Sequence, residues 1–223
     1  MVDFRIRTFG RIKSRKLSDN KNNILENILP KYEIKIKDDD VLNFPNNDGK
    51  KNMLEIGFGY GEQILNQSLL HPECNLIGCE TYLNGIISLL NKIEENNVEN
   101  IKIFRDDARI LIEKIPDNSL DTVFILFPDP WPKKRQNKRR IINDEFLKML
   151  QKKISNNGTL FFASDIFDYI EWTFNFAKDI FIPEFTTFEE CKKEPEWWVK
   201  TRYQQKAIKN GRECYFLKFK NSK

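Results

Sequence analysis

The sequence predicts an α/β fold, a mostly parallel sheet with helices on both faces. Three observations carry it. Short β-branched or aromatic runs alternate with longer stretches whose apolar residues recur at helical spacing, and such alternation builds strand–crossover–strand units with parallel pairing. A glycine loop, Gly57-Phe58-Gly59-Tyr60-Gly61, follows the first of these runs. The acidic residues Glu55, Glu80, Asp107, Asp129 and Asp165 fall at or near the ends of successive runs. Open parallel sheets bind ligands outside the carboxyl ends of their strands, so these five side chains are expected at one edge.

The elements follow in order. Residues 1–17 form a basic arm with Phe4, Ile6, Phe9 and Ile12 interspersed; Ser18 or Asp19 then caps a short helix through Leu29, ended by Pro30. Residues 37–52 are polar and turn-rich and read as a loop. Met53–Ile56 is the first strand, and a helix runs from the glycine loop to Leu70. Asn75–Gly78 begins a second strand that ends at Glu80; Leu83, Ile86, Ile87, Leu90 and Ile93 then mark the buried stripe of a helix. Ile101–Phe104 is the third strand, followed by Asp106-Asp107 and a helix through Lys114. Leu120–Phe127 is the fourth. Ile141–Ile154 reads as a helix stopped by Asn156-Asn157-Gly158, with a fifth strand at Thr159–Ala163 and a helix over Ile166–Ile180. Residues 184–200 mix aromatics with glutamates, and Cys214–Phe219 is a last strand, expected to pair antiparallel.

Composition narrows the class of protein. At 223 residues, 40% hydrophobic and 31% charged, the chain can bury a full core and resembles soluble proteins. No apolar run approaches a membrane span, and the basic N-terminus lacks the apolar stretch of a secretion signal. Four cysteines with no CxxC pair and a single histidine, His71, argue against a zinc cluster and for a reduced, cytoplasmic setting. The net charge of +4 hides a partition: residues 1–16 carry +5, 133–140 carry +6 and 199–223 carry +7, which leaves −14 on the rest. An acidic body with three basic segments points to a directed patch for nucleic acid.

Two motifs carry chemistry. In Glu55-Ile-Gly57-Phe-Gly59-Tyr-Gly61 the glycines allow close approach to a ligand, as in nucleotide loops. The G-x-G-x-G spacing and the preceding carboxylate fit the cationic methionine end of S-adenosylmethionine better than a pyrophosphate. Glu80 is then placed for ribose hydroxyls and Asp107 for the adenine amino group. The second motif runs from Phe127 to Ile142, FPDPWPKKRQNKRRII, where Pro128, Pro130 and Pro132 stop the strand and leave Asp129 at its mouth. Six cations follow within eight residues, an arrangement that brings a polyanion to a reacting centre. Asp129-Pro-Trp-Pro also compares with the [DN]-P-P-[FYW] loop of amino-group methyltransferases, although here the aromatic sits between prolines.

FPDPWPKKRQNKRRI resembles the signature of the bacterial tRNA (guanine-N7-)-methyltransferase family, of the Rossmann-like class I S-adenosylmethionine-dependent fold. The likeness extends to LEIGFGYGE, GCE at 78–80, DDAR at 106–109, SDIFDYIEW at 164–172, TRYQQK at 201–206 and the leader RTFGRIKSRKLS. It implies a seven-stranded sheet in a methyltransferase domain over 37–223, after a basic arm and short helix over 1–36. It implies S-adenosylmethionine held by Glu55, Gly57, Gly59, Glu80, Asp107 and Asp129, with Asp129 in the active-site position. Lys133, Asp165 and Thr201, Arg202, Tyr203 and Gln204 would meet the substrate; Arg135, Gln136, Asn137, Lys138, Arg139 and Arg140 would contact the RNA. The acceptor would be N7 of the guanosine at position 46, in the tRNA variable loop, with no membrane, metal or obligatory protein partner. The chain departs from the family at Gln204, where glutamate is usual, and at Gln136, where histidine is common.

The residues suit that chemistry. Guanine N7 has a lone pair and no proton, so the site must supply position and charge stabilisation rather than a base. An amino-group methyltransferase using the Asp129 loop, a non-catalytic RNA-binding subunit and a nicotinamide dehydrogenase are the competing readings.

Overall fold

A computed structural model describes residues 17–36, 42 and 49–222; most of the basic arm and of the polar loop lie outside them. Among the described residues seven strands form one sheet: β1 (Asn52–Ile56), β2 (Asn75–Cys79), β3 (Ile101–Phe104), β4 (Leu120–Leu126), β5 (Ile154–Ser164), β6 (Ile182–Pro183) and β7 (Tyr215–Lys220). Their order is β3-β2-β1-β4-β5-β7-β6. The first five run parallel, while β7 is antiparallel to β5 and β6 antiparallel to β7. The chain leaves β1 toward one edge and returns at β4 to build toward the other. The crevice between β1 and β4 is therefore the switch point where such sheets place ligands.

Strand residues alternate between two cores. Leu54, Val123, Leu160 and Leu217 point to one face, where α5 (Ala108–Lys114), α6 (Asp144–Lys153) and α7 (Phe167–Ala177) cover them. Met53, Phe124, Phe161 and Phe216 point to the other, against α3 (Glu62–Leu70) and α4 (Leu83–Asn96). Ile24 of α1 (Asp19–Asn27) and Leu29 of α2 (Leu29–Tyr32) join that second core. Pro30 does not end the helical region as expected: it opens a new turn, where its missing N–H is not needed. The Ile34 N–H then donates to the carbonyl of Ile103 at 2.8 Å, fastening this segment to the β3 edge.

Three further differences from the sequence reading have local causes. The helix before β5 spans Asp144–Lys153, beginning at an Asn143 side chain that accepts from the Phe146 N–H. Asn156-Asn157-Gly158 is not its stop but part of an 11-residue strand. The buried Asn221 amide holds this stretch by donating to the Ile154 carbonyl at 2.8 Å. The residues after Thr201 form a helix, α8 (Arg202–Lys209), whose N–H at Gln204 is capped by the Thr201 hydroxyl. β6 is the sheet edge, where Pro183 costs no ladder bond.

Candidate active site

The glycine loop crosses the carboxyl ends of β1 and β2. Gly57 donates to the carbonyl of Cys79 at 2.7 Å, and Gly59 to the Glu80 carboxylate at 2.8 Å. Gly57 and Gly59 hold φ of 74° and 55°, a region costly for other residues. Gly85, on α4, lets the helix approach: a Cβ there would stand 2.1 Å from the Gly59 carbonyl oxygen. Its role was not visible in the sequence, where it sits inside an ordinary helical stripe.

Glu80 also accepts from the N–H groups of Thr81 at 2.7 Å and Tyr82 at 2.9 Å. Burial raises its pKa, against the lowering effect of these donors. Asp107 caps α5 through the Arg109 N–H and pairs with the Arg109 guanidinium at 2.7 Å. Both acids thus shape the backbone as well as line the cleft. Asp129 stands at the mouth, open to water on one side, and partial burial raises its pKa. The loop carrying it is strained: Phe127 and Trp131 hold φ of 49° and 42°, a region that bulky residues avoid. The Arg139 guanidinium lies 4.8 Å from the Trp131 ring centre.

A cleft of about 330 Å³, in the range of small-ligand sites, is lined by Gly57, Gly59, Glu80, Asp107, Asp129, Lys138, Arg139, Arg140 and Tyr203. Tyr60, Tyr82 and Trp131 complete its aromatic wall, with Tyr60 and Tyr82 edge to face at 6.2 Å. Tyr203 packs over the glycine loop, within 3.0 Å of where a Gly59 Cβ would lie. Arg202 stacks on Tyr60 at 4.1 Å and pairs with Glu62 at 3.3 Å, so α8 is docked on the same loop.

Other expected site residues lie outside the cleft wall. Glu55 is buried beneath the loop on the α3 side; burial first, then the charges of Glu62 and Glu80, push its pKa to about 8. Lys133, Lys134 and Arg135 are exposed, and a 3₁₀ helix over Lys134–Arg139 carries half-buried Gln136 and Asn137. Asp165 is paired with Arg212 at 3.1 Å. Gln204 is 1% exposed; its amide accepts from the Trp198 indole at 2.6 Å and donates to Glu194 at 2.7 Å. Arg140, by contrast, borders the cleft, yet its side chain is interior, at 2% exposure, rather than on the cationic surface. Trp197 and Trp198 cover the sheet, with Trp197 on Phe161 at 5.2 Å and Trp198 on Phe216 at 4.9 Å. His71, Glu73 and Cys74 form a cluster of potential metal ligands at the opposite ends of the strands, before β2.

Among solved structures, a precorrin-6y C5,15-methyltransferase from Geobacter metallireducens superposes with a TM-score of 0.53. At 14% identity over 77% of this chain and 81% of that one, the likeness is one of fold alone. With the strand order and the cleft at the switch point, it defines a class I S-adenosylmethionine-dependent methyltransferase fold. A family model described as "Putative methyltransferase" matches residues 49–217. The tRNA (guanine-N(7)-)-methyltransferase of Wolbachia pipientis wMel is 41% identical over 200 residues, 87% of this chain and 85% of that protein. The chain belongs to the bacterial tRNA (guanine-N7-)-methyltransferase family. A "Bifunctional methyltransferase" of Rickettsia conorii is 40% identical over 211 residues; the match takes in 95% of this chain but spans 39% of that longer protein.

Proposed function

We propose that the protein transfers a methyl group from S-adenosylmethionine to N7 of a variable-loop guanosine in tRNA. One observation carries the reading. A single cleft has the glycine loop and Glu80 in its wall together with Asp129, Trp131 and the cations Lys138 and Arg139. The residues fit the cofactor: Gly57 has open space where a side chain would stand, which allows close approach, and the Glu80 carboxylate retains acceptor capacity for ribose hydroxyls after binding backbone N–H groups. Glu80 would hold the ribose and Asp107 the adenine end, while Glu55 acts from beneath the loop.

When bound, S-adenosylmethionine supplies a sulfonium methyl group, which guanine N7 takes through its lone pair without giving up a proton. No side chain has to remove a proton, so the site contributes position and charge. The Asp129 carboxylate stabilises the positive charge that develops on the guanine ring. Trp131 and Tyr203 offer rings beside it, and Lys138, Arg139 and the exposed Lys133 to Arg135 take phosphates. Residues 1–36 supply a basic arm and a short helical segment ahead of the methyltransferase domain of 37–223, and the protein works in the cytoplasm without a metal or obligatory protein partner. Incubation with labelled cofactor and bulk tRNA, then nucleoside mass spectrometry, tests this: 7-methylguanosine is expected, and methylated adenosine would indicate an amino-group enzyme instead.

A further inference from the structure

Arg140 ends the basic run and by position should meet RNA phosphate like its neighbours. Its surroundings are those of an interior residue, with a side chain 0% exposed. Its Nε donates to the carbonyl of Pro130 at 2.9 Å, and its Nη2 pairs with Asp168 on α7. The guanidinium stands 4.7 Å from the Tyr169 ring centre and 5.0 Å from that of Trp172. The Trp172 indole in turn donates to the Ile142 carbonyl at 2.8 Å, so α7 grips the chain two residues further on. Two rings lie within 5.0 Å of the guanidinium, and its Nε and Nη2 are engaged inside the fold rather than held out to solvent.

We propose that Arg140 is a positioning residue for methyl transfer. It clamps the Pro130 carbonyl against α7 and so sets Asp129 at the end of β4. The inference rests on the methyltransferase reading of the cleft. The loop needs such a clamp because of its own sequence. Pro128, Pro130 and Pro132 have no N–H with which to anchor it. Phe127 and Trp131, on either side of Asp129, hold strained left-handed backbone that persists only where surrounding contacts impose it. Pairing a buried arginine with an exposed aspartate adds little net stability once the desolvation of the guanidinium is counted, so the geometry it imposes is the better account of Arg140 here. Arg140 therefore acts through Pro130 rather than on the substrate.

The test compares Arg140→Lys and Asp168→Asn with a Lys138→Ala/Arg139→Ala double variant, all in the full chain with tRNA and labelled cofactor. Wild-type turnover is measured first; its absence would refute the methyltransferase reading and not the clamp. Arg140→Lys should keep a cooperative thermal transition, wild-type tRNA affinity and the wild-type salt slope, yet lose about tenfold or more in kcat at saturating tRNA. Asp168→Asn, a change at an exposed position, should lower kcat by a smaller factor with tRNA affinity unchanged. The double variant should do the reverse, weakening tRNA binding and flattening its salt dependence. A salt slope lowered by about one unit in Arg140→Lys with unchanged kcat would make Arg140 a phosphate contact and overturn the proposal. Wild-type kcat in both Arg140→Lys and Asp168→Asn would also overturn it. If Arg140→Lys does not fold, Asp168→Asn decides: a fall in kcat at wild-type affinity supports the clamp, and wild-type kcat refutes it.

Discussion

The N–H of Gly59 donates to the Glu80 carboxylate across 2.8 Å, tying the glycine loop after β1 to the end of β2. With the N–H groups of Thr81 and Tyr82 on its other oxygen, Glu80 organises the cofactor end of the cleft from one position. Its partners are all backbone, so the loop is shaped before any ligand arrives.

Glu80→Ala should therefore weaken cofactor binding and leave tRNA binding nearly intact. Hydrogen bonds to a charged group are worth roughly 1.5–3 kcal/mol, which corresponds to about a tenfold or larger rise in Kd. Calorimetry with S-adenosylmethionine checks this, and unchanged affinity would remove Glu80 from the site.

Glu55 makes stability fall with rising pH. Its carboxyl ionises near 4.5 in the unfolded chain but near 8 in the fold, chiefly because it is buried. Between those values the native state keeps a proton that the unfolded state has released, so each rise in pH favours unfolding, and above the upper value the loss is complete. Glu55→Gln should stabilise the cofactor-free protein by roughly a few kcal/mol at mildly alkaline pH. The gain should shrink as pH falls toward the lower value. Urea unfolding of both proteins across this range measures it; a gain that does not vary with pH would mean the carboxyl is not protonated in the fold.

The Gln204 amide fills a slot between the Trp198 indole, whose N–H it accepts, and the Glu194 carboxylate, to which it donates. A glutamate there keeps the first bond and loses the second. It sets two carboxylates together in a half-buried place, for a cost of about 1–3 kcal/mol. Gln204→Glu should thus lower the unfolding midpoint, and adding Glu194→Gln should restore it, a coupling visible in a double-mutant cycle. Independent effects of the two changes would show that the pair does not interact.

These cases mark how far the sequence could be read. Alternating strands and helices were legible because the strands, buried on both faces, are short continuous apolar runs, while the helices carry apolar residues about 3.6 apart. That is why Met53, Phe124 and Phe161 reach one core and Leu54, Val123 and Leu160 the other. The cleft was legible because glycines and strand-end acids are local signals. The burial of Arg140 and Gln204 was not, because each depends on partners brought from other elements: Asp168 and Trp172 for one, Trp198 and Glu194 for the other. A run of six like charges carries no period to show which member turns inward. α8 was missed because only Gln204 and Ala207 are buried along its eight residues, too few to write a stripe.

Lys138 and Arg139 remain on the cleft rim, and replacing both with alanine should weaken tRNA binding. Each lost phosphate contact lowers the slope of log affinity against log salt by about one unit. Affinities at several salt concentrations give the slope, and an unchanged value would leave these cations as solvated surface.

Asp129→Asn should fold normally and lose most methyl transfer, since it keeps the side-chain shape and removes the charge beside the developing guanine cation. Because partial burial raises the Asp129 pKa, wild-type activity should decline on acidification sooner than an ordinary aspartate would dictate. The asparagine variant's residual activity should lack that acid limb. Turnover within a few-fold of wild type at saturating cofactor would make Asp129 a loop-shaping residue only.

Methyl transfer here rests on attack by guanine N7, and one substrate isolates that atom. A tRNA whose variable-loop guanosine is replaced by 7-deazaguanosine keeps the ring, its Watson–Crick edge and every phosphate but has a C–H where the nucleophile should be. The protein should bind this tRNA with wild-type affinity and transfer no methyl group to it. Methylation of the 7-deaza tRNA at the rate of the natural one would place the acceptor elsewhere and contradict the assignment.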